Sequence, residues 1–334
     1  MGSKRLKLGI SLSNRSVVFG WTSLDDILDA AQMAEESGEF DGVWIGDNLL
    51  SKPRLESIVT LSALGMRTSK VRLGTICFAS IPLRDPILLA IQWASLDVLT
   101  KGRTVLAVCN GPSAKDGPRF AHELEVMGVA SHERAARLVE TVGLLRRFWS
   151  EDSVTHEGRF HQFKDVTVLP KPVQQPLPIF IAVNPKLYKT NEEVVQRSLR
   201  RVAKYADGWQ ADSIPAEDFG RRLETIKKLM VEEGRDPSTL ESCPHIMANI
   251  NDDAEKALTE AQEYLTLYYP PGYISREQAD DWFAYGPPEN VTRKIQTYID
   301  AGCTTPVIRF CSRDTQGQMQ RFLKEVLPAL QTDR

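Results

Sequence analysis

The feature that most constrains the fold is a strand–helix unit that recurs along the 334 residues. Short apolar runs such as the one at 41–46 alternate with amphipathic helical patterns. The first helix has Ser23 as its N-cap and Gly38 at its end, and the second is predicted from Pro53 to Arg67. We count about eight units, which is the number that a closed parallel barrel requires. The sequence therefore predicts an α/β fold, a (β/α)8 TIM barrel, with residues 1–334 forming a single domain.

Two interruptions and one rival architecture accompany this prediction. Residues 150–176 alternate in polarity and end in prolines, which predicts a β-hairpin inserted after the fourth helix. Residues 268–290 are rich in Pro, Gly and Tyr and predict a loop insertion before the last unit. The rival is a doubly wound open sheet, but neither a Gly-x-Gly-x-x-Gly turn nor a P-loop is present in the sequence.

Charge and cysteine usage narrow the class of function. The net charge is −3 with no long charged run, so we expect no nucleic-acid partner, and no apolar run is long enough to span a bilayer. No secretion signal is expected, and a cytoplasmic location follows. The five cysteines form no Cys-x-x-Cys pair, so we predict neither a zinc site nor a disulfide framework. A metal site at His156 and His161 is not expected either. The cysteines are Cys77, Cys109, Cys243, Cys303 and Cys311.

The stretch "FDGVWIGDNLL" ends an apolar strand on Asp47 and Asn48. An Asx turn is one explanation, because Asp and Asn side chains bond their own backbone. In a TIM barrel, however, the carboxyl end of each strand faces the active site. We therefore predict that Asp47 and Asn48 act as a catalytic pair.

Several longer blocks resemble motifs of the bacterial luciferase-like family. They are "GTICFASIPLRDPILLAIQWASLDVLTKGRTVLAVCNG" and "HERAARLVETVGLLRRFWSEDSVTHEGRFHQF", followed by "YADGW", "NDDAEKAL" and "GPPENVTRKIQTYIDAGC". The resemblance implies a barrel that uses a reduced flavin or the deazaflavin coenzyme F-420. Deazaflavin-dependent members carry Asp-His at the end of the second strand, so Asp47 favours coenzyme F-420 and the methylenetetrahydromethanopterin reductase branch. Asn48 replaces the histidine, and an amide has no usable pKa for proton transfer.

The resemblance also implies a backbone platform behind the cofactor ring. It implies a bulge with a non-proline cis peptide bond, here between Ile76 and Cys77, and places Asp47 beside the cofactor. The turn of Asn110 and Gly111 is the second platform candidate.

Three residues depart from the family pattern. The fourth strand of the family ends Gly-x-Gly-x-Gly, whereas here Ala107 and Cys109 replace two of the glycines. Pro112 stands where the glucose-6-phosphate enzymes have an acid, so we do not expect that substrate. Phe78 is a candidate for the apolar wall beside the ring.

A phosphate group of the cofactor requires an anion site, for which the sequence offers two places. The loop "NPKLYKTNEE" leads into a helix N-terminus and offers Asn184, Lys186 and Thr190, although a capping box of Thr190 with Glu193 is the alternative. The second place follows the eighth strand, where barrels often bind phosphate. Its residues are Arg309, Ser312 and Arg313.

The remaining candidates concern the substrate and a partner subunit. We expect the loops after strands one and seven to roof the substrate, with Ser13, Asn14, Arg15 and Asn249, and we interpret His245 as a satisfied core residue. The helix "DPILLAIQWASLDVL" is apolar on most sides, which predicts a homodimer interface.

Three functions remain open. The first is hydride transfer between coenzyme F-420 and a small organic substrate. The second is monooxygenation by reduced FMN supplied by a separate flavin reductase. The third is a barrel that binds a flavin or another ligand without catalysis.

Overall fold

The computed structural model describes residues 6–183 and 191–331 and contains a closed barrel of eight parallel strands. Around the barrel the strand order is β1-β2-β3-β4-β7-β8-β9-β11, and β11 pairs again with β1. The predicted TIM barrel is confirmed and the open doubly wound sheet is excluded. The strands are β1 Gly9–Leu12, β2 Gly42–Ile45, β3 Arg72–Thr75, β4 Thr104–Val108, β5 Val154–Glu157, β6 Gln162–Val166, β7 Ile179–Ala182, β8 Gly208–Asp212, β9 Glu241–Ile250, β10 Phe283–Gly286 and β11 Val307–Phe310.

Helices cover the outside of the barrel, and several begin at the capping residues that the sequence supplies. Ser23 forms a capping box with Asp26 at the start of α1. None of the helices described here is both long and apolar enough to cross a membrane. The helices are α1 Leu24–Glu36, α2 Ser57–Arg67, α3 Pro86–Leu99, α4 Pro118–Val126, α5 Arg134–Ser150, α6 Glu192–Tyr205, α7 Ala216–Glu232, α8 Ala254–Leu265, α9 Arg276–Trp282, α10 Pro288–Asp300 and α11 Thr315–Arg321.

Two predicted helix starts are wrong. The second helix was expected from Pro53 but begins at Ser57, because the side chain of Glu56 accepts the N–H of Val59 and caps it there. For α6 the N-cap is Asn191, whose side chain accepts the N–H of Val194, and not Thr190. Adjacent polar residues compete for the cap, and only the backbone geometry decides between them.

The two insertions differ in how well the sequence predicted them. The hairpin after the fourth barrel helix is present as the antiparallel pair β5 and β6. The second insertion is not a plain loop, because it contains α9 and β10. Strand β10 pairs in parallel with the second half of β9, from Met247 to Ile250. This pairing supplies backbone hydrogen bonds that the local Pro- and Gly-rich composition does not reveal.

Side chains from five of the eight barrel strands form one apolar cluster in the barrel interior. Trp44 is fully buried there and stacks against Phe180 with ring centroids 6.1 Å apart. The indole fits because β3 presents Gly74, where a Cβ atom would lie 2.3 Å from the ring. The interior cluster consists of Trp44, Val105, Ala107, Phe180, Cys243 and Val307.

An ion pair crosses the amino-terminal end of the barrel. Arg72 on β3 donates to both carboxylate oxygens of Glu241 on β9, at 2.9 and 3.1 Å, and Lys7 donates to the same carboxylate at 2.9 Å. In the strand order β3 and β9 lie four steps apart, on opposite sides of the barrel. The amino-terminal end is therefore filled, and the open cavity lies at the carboxyl end.

Candidate active site

A cavity of about 250 Å³ opens at the carboxyl ends of the strands. Its wall comes from the loops after β2, β3 and β4, from β8, β9 and β11, and from the second insertion. This is the face on which TIM-barrel enzymes build active sites. The cavity is lined by Gly46, Asp47, Asn48, Lys52, Arg54, Ile76, Cys77, Ala79, Cys109, Gly111, Pro112, Asp212, His245, Met247, Leu265, Tyr268, Tyr269, Trp282 and Arg309.

Asp47 lies at the cavity wall with its carboxylate almost fully buried. One oxygen accepts the hydroxyl of Ser57 at 2.8 Å and the guanidinium of Arg84 at 3.3 Å, and the other accepts the N–H of Ser80 at 2.8 Å. Charge-assisted hydrogen bonds of this kind are strong. The carboxylate therefore ties the loop after β3 to the start of α2.

Asn48 fixes the turn after β2, but not as the Asx turn that the sequence left open, in which the side chain accepts the N–H two residues on. Its side-chain oxygen accepts the hydroxyl of Ser51 at 2.6 Å and the N–H of Lys52 at 2.8 Å. The amide therefore fixes the turn that carries Lys52 into the cavity.

The bulge after β3 is present, and the peptide bond between Ile76 and Cys77 is cis, as expected. On either side the backbone returns to β4, because the Thr75 hydroxyl donates to Ala107 O at 2.8 Å and Phe78 N donates to the same oxygen at 2.6 Å. Ile76 and Cys77 line the cavity between these two anchors.

Two predictions at this bulge are wrong. A disulfide joins Cys77 to Cys109, with Cα atoms 6.0 Å apart, because the ends of neighbouring strands bring together cysteines separated by 32 residues. Phe78 is not a cavity wall. It is fully buried and packs edge-on against Trp93 of α3, with centroids 5.6 Å apart.

The turn after β4 requires a glycine. Gly111 has a φ of 66°, and a Cβ atom there would lie 2.6 Å from the carbonyl oxygen of Ala79. This approach keeps a bare stretch of backbone at the cavity wall. Asn110 lies next to it but directs its side chain toward Arg201, which donates to Oδ1 at 3.3 Å.

The two predicted phosphate sites have different outcomes. Asn184, Lys186 and Thr190 fall outside the described residues. After β11 the predicted group is divided, because only Arg309 lines the cavity.

The other two members of that group point elsewhere. Ser312 donates to Glu260 at 2.5 Å, and Arg313 lies over the ring of Trp21 at 4.4 Å in a second cavity of about 190 Å³.

The four residues predicted to roof the substrate lie outside the cavity wall and bond to the segments that form it. The hydroxyl of Ser13 bonds that of Tyr268 at 2.5 Å, and Asn14 donates to Gly46 O at 3.0 Å. Arg15 donates to the carbonyls of Leu267 and Pro53. Asn249 donates to the carbonyl of Cys311 at 2.9 Å. None of the four is part of the described cavity wall.

The cavity wall contains three cationic side chains. Two of them, Lys52 and Arg54, were not identified from the sequence, and Arg309 was named only as a candidate phosphate ligand. Lys52 and Arg54 come from the loop after β2, and Arg309 comes from β11. Burial, with Arg54 as the next contributor, lowers the pKa of Lys52 to about 7. Its ammonium lies 4.6 Å from the ring of Tyr269. Loop composition gives no signal for this convergence, which depends on how the turn at Asn48 folds.

His245 is a further residue of the cavity wall that the sequence analysis did not assign to the site. The interpretation as a satisfied core histidine is wrong, because the ring lines the cavity and its Nε2 atom is buried with no hydrogen-bond partner among the described residues. Its Nδ1 atom lies 3.5 Å from Oδ1 of Asp212. Burial lowers the pKa of this imidazole.

The chain is similar to several known proteins over almost its whole length. A protein 27% identical over 97% of both chains is an F420-dependent glucose-6-phosphate dehydrogenase from Kineococcus radiotolerans. Among solved structures, an F420-dependent secondary alcohol dehydrogenase with an F420-acetone adduct superposes with a TM-score of 0.81 at 19% identity, covering 98% of this chain and 100% of that one.

A second solved structure is the coenzyme F420 dependent tetrahydromethanopterin reductase from Methanopyrus kandleri, with a TM-score of 0.77 at 16% identity over 98% and 100% of the two chains. The model of the family described as luciferase-like monooxygenase matches residues 6–305. The chain therefore belongs to the luciferase-like family, as its sequence motifs predicted.

Proposed function

We propose that this protein is an oxidoreductase that transfers a hydride between coenzyme F-420 and a small organic substrate. The observation that carries the proposal is the cavity at the carboxyl end of the barrel, whose wall combines the bulge after β3 with three cations. The name of a relative that covers 97% of the chain supports the choice of cofactor.

The cavity wall fits a planar, partly anionic ring. Gly111 offers backbone without a side chain, and Lys52, Arg54 and Arg309 offer positive charge. The volume of about 250 Å³ lies near the lower limit of small-ligand pockets, roughly 300 Å³. When bound there, coenzyme F-420 would supply hydride chemistry at its C5 atom without activating oxygen.

This chain's own residues then bind and orient. Asp47 holds the loop after β3 in place through Ser80 and Arg84, and Asn48 holds the turn of Lys52. Tyr268, Tyr269 and Trp282 cover the cavity from the second insertion and limit access of water. We retain Asp47 and Asn48 as site residues in positioning roles.

A binding titration tests the cofactor. The purified protein is titrated with coenzyme F-420 and with FMN, each oxidised and reduced, and fluorescence reports binding. We expect tight binding of coenzyme F-420 that Ala79→Phe abolishes, because the new ring fills the cavity. Ala130→Phe, at an exposed alanine, is the matched control.

The other outcomes separate the alternatives. Preference for reduced FMN, with oxygen-dependent turnover in the presence of a flavin reductase, would replace this proposal by a two-component monooxygenase. Binding without hydride transfer to or from any offered substrate would favour a non-catalytic barrel. Glucose 6-phosphate belongs among the offered substrates because of the relative's name, and Pro112 in the cavity wall argues against it.

We also propose a homodimer that buries α2 and α3. These helices expose large apolar side chains that a monomer would leave in water. The side chains are Val59, Met66, Leu88, Ile91, Val98 and Leu99, from 37% to 71% exposed. Sedimentation velocity should give a dimer that Leu88→Glu weakens, whereas Val231→Glu on α7 should leave the dimer intact. A monomeric parent protein would refute this part.

The proposal places the enzyme in the cytoplasm. The buried free thiols of Cys243, Cys303 and Cys311 are compatible with a reducing compartment, whereas a disulfide such as that of Cys77 and Cys109 is rare there. Cell fractionation tests this, and recovery of the protein from a secreted fraction would contradict it.

A further inference from the structure

We propose that His245, positioned by Asp212, is the catalytic residue that takes up and returns the hydroxyl proton of the substrate, so that the substrate is a small alcohol and the product its ketone or aldehyde. The inference rests on the proposed function and adds the substrate class and the proton acceptor to it. It starts from a residue of the cavity wall, His245, whose buried Nε2 atom has no hydrogen-bond partner in the described chain.

The two residues are fixed relative to each other by the sheet. Asp212 ends β8 and His245 lies opposite it on β9 as its register partner. Nδ1 and Oδ1 are 3.5 Å apart, and a carboxylate only accepts hydrogen bonds, so the proton belongs on Nδ1. Nε2 therefore carries the lone pair. Trp282 donates to the carbonyl oxygen of His245 at 2.7 Å and holds this part of β9 under the roof.

The other polar groups at the cavity wall are less suited to accept a proton. Asn48 is an amide, and its oxygen already accepts two hydrogen bonds. The carboxylate of Asp47 accepts hydrogen bonds from three donors and is almost fully buried. Lys52 is held over the ring of Tyr269 beneath the roof. His245 alone combines a free lone pair with a carboxylate on its other nitrogen, among the described residues of the wall.

The step balances with groups that the proposal supplies. With coenzyme F-420 bound, the hydrogen on the carbinol carbon would leave with its electron pair for the oxidised deazaflavin, the O–H bond would break, and Nε2 of His245 would take up the proton as the C=O bond forms. The alcohol is oxidised by two electrons and coenzyme F-420 is reduced by two. In the reverse direction the imidazolium returns the proton to the carbonyl oxygen. Asp212 stabilises the imidazolium in both directions, as a carboxylate does in other histidine dyads.

The charges around the imidazole define its pH behaviour. Burial lowers the pKa of His245, Asp212 raises it, and Arg309 lowers it. Asp47, Lys52 and Arg54 share the same cavity. The net direction is downward, so the imidazole is neutral at pH 7 and competent as a base.

Nuclear magnetic resonance of protein with isotope-labelled histidine tests the geometry without cofactor. The chain has five histidines, and His245→Gln identifies the signal. We expect the Nδ1–H tautomer with an unprotonated Nε2 at pH 7, and a lower imidazole pKa in Asp212→Asn because the raising carboxylate is gone. An Nε2–H tautomer, or a titration that Asp212→Asn leaves unchanged, would overturn the inference.

Kinetics test the chemistry, with 2-propanol and glucose 6-phosphate as probe alcohols. His245→Gln should lower kcat about 10²- to 10⁴-fold while coenzyme F-420 still binds, and imidazole in the buffer should partly restore His245→Ala. Asp212→Asn should move the acid limb of the pH profile to lower pH. His156→Gln is the control, since His156 lies on the hairpin, where it pairs with Glu140 of α5.

The outcomes distinguish the two proposals. Failure of the wild type to bind coenzyme F-420 refutes the proposed function. Binding without oxidation of either alcohol refutes the substrate class. Oxidation that keeps its rate and pH profile in His245→Gln, or loses its acid limb only in Lys52→Met, refutes the role of His245.

Discussion

At the scale of single residues, the cavity wall is held by side chains that bond from one loop to another. Asp47 and Asn48 were predicted from the end of a strand, and both line the cavity. Their hydrogen bonds, however, go to Ser80, Ser57 and the turn of Lys52, none of which the local sequence specifies. Residue type and strand position are local properties, whereas bonding partners depend on three loops meeting in space.

Lys52 gives a prediction at this scale. Burial, then Arg54, lowers its pKa to about 7, so the folded protein releases this proton before the unfolded chain does. Between about pH 7 and the ordinary lysine pKa the unfolded state binds more protons, and the free energy of unfolding therefore rises with pH. Lys52→Met should lose this rise, measured by urea unfolding from pH 6 to 10. An equal loss in Lys228→Met, at an exposed lysine, would contradict the assignment.

At the scale of secondary-structure elements, periodicity identified the eight units and the hairpin but not the second insertion. Strand β10 has a parallel partner 36 residues earlier, between Phe283 and Met247, and such pairing leaves no local signal. Helix boundaries moved for a related reason. Pro53 looks like a helix start, but Glu56 caps the helix three residues later.

Gly74 in β3 provides the prediction for an element. A methyl group there would meet the ring of Trp44 at 2.3 Å, and both are buried in the barrel. We expect Gly74→Ala to lower the free energy of unfolding by about 1–3 kcal/mol through overpacking. Gly143→Ala on α5, where a Cβ atom meets nothing within 4 Å, should instead raise it by about 0.5–1 kcal/mol. Thermal unfolding of both variants checks this, and equal signs would refute it.

At the scale of the whole molecule, closure of the barrel followed from counting units, because eight parallel strands with covering helices have few other arrangements. The contacts across the barrel did not follow. Arg72 and Glu241 are 169 residues apart and meet only because β3 and β9 face each other. The location of the cavity could be predicted from the sequence, because it lies at the carboxyl ends of the strands. The contact of Asp212 with His245 could not be predicted, because it depends on the register of β8 and β9.

The ion pair across the barrel gives a prediction for global stability. Burial raises the pKa of Glu241, but Arg72 and Lys7 outweigh it and lower the pKa to about 2. The stabilisation is present above the unfolded pKa and is lost as pH falls toward 2. Glu241→Gln should cost about 3 kcal/mol at pH 7, because Arg72 stays buried without its partner. Its stability should also depend less on pH between 5 and 2. If the free energy of unfolding of Glu241→Gln equals that of the wild type at every pH from 7 to 2, this prediction is wrong.

Strand β10, which the second insertion adds, gives the main sheet a free edge. A closed barrel has no free edge, but β10 pairs on one side only in the described chain, so one row of backbone groups faces away from the sheet. Its four residues, followed at once by α10, keep that row short. Among the described strands, β10 thus gives the main sheet its one free edge, besides the edges of the hairpin formed by β5 and β6. Strand β10 directly follows Trp282, which lines the cavity, so a peptide strand that paired with it would lie beside the cavity wall.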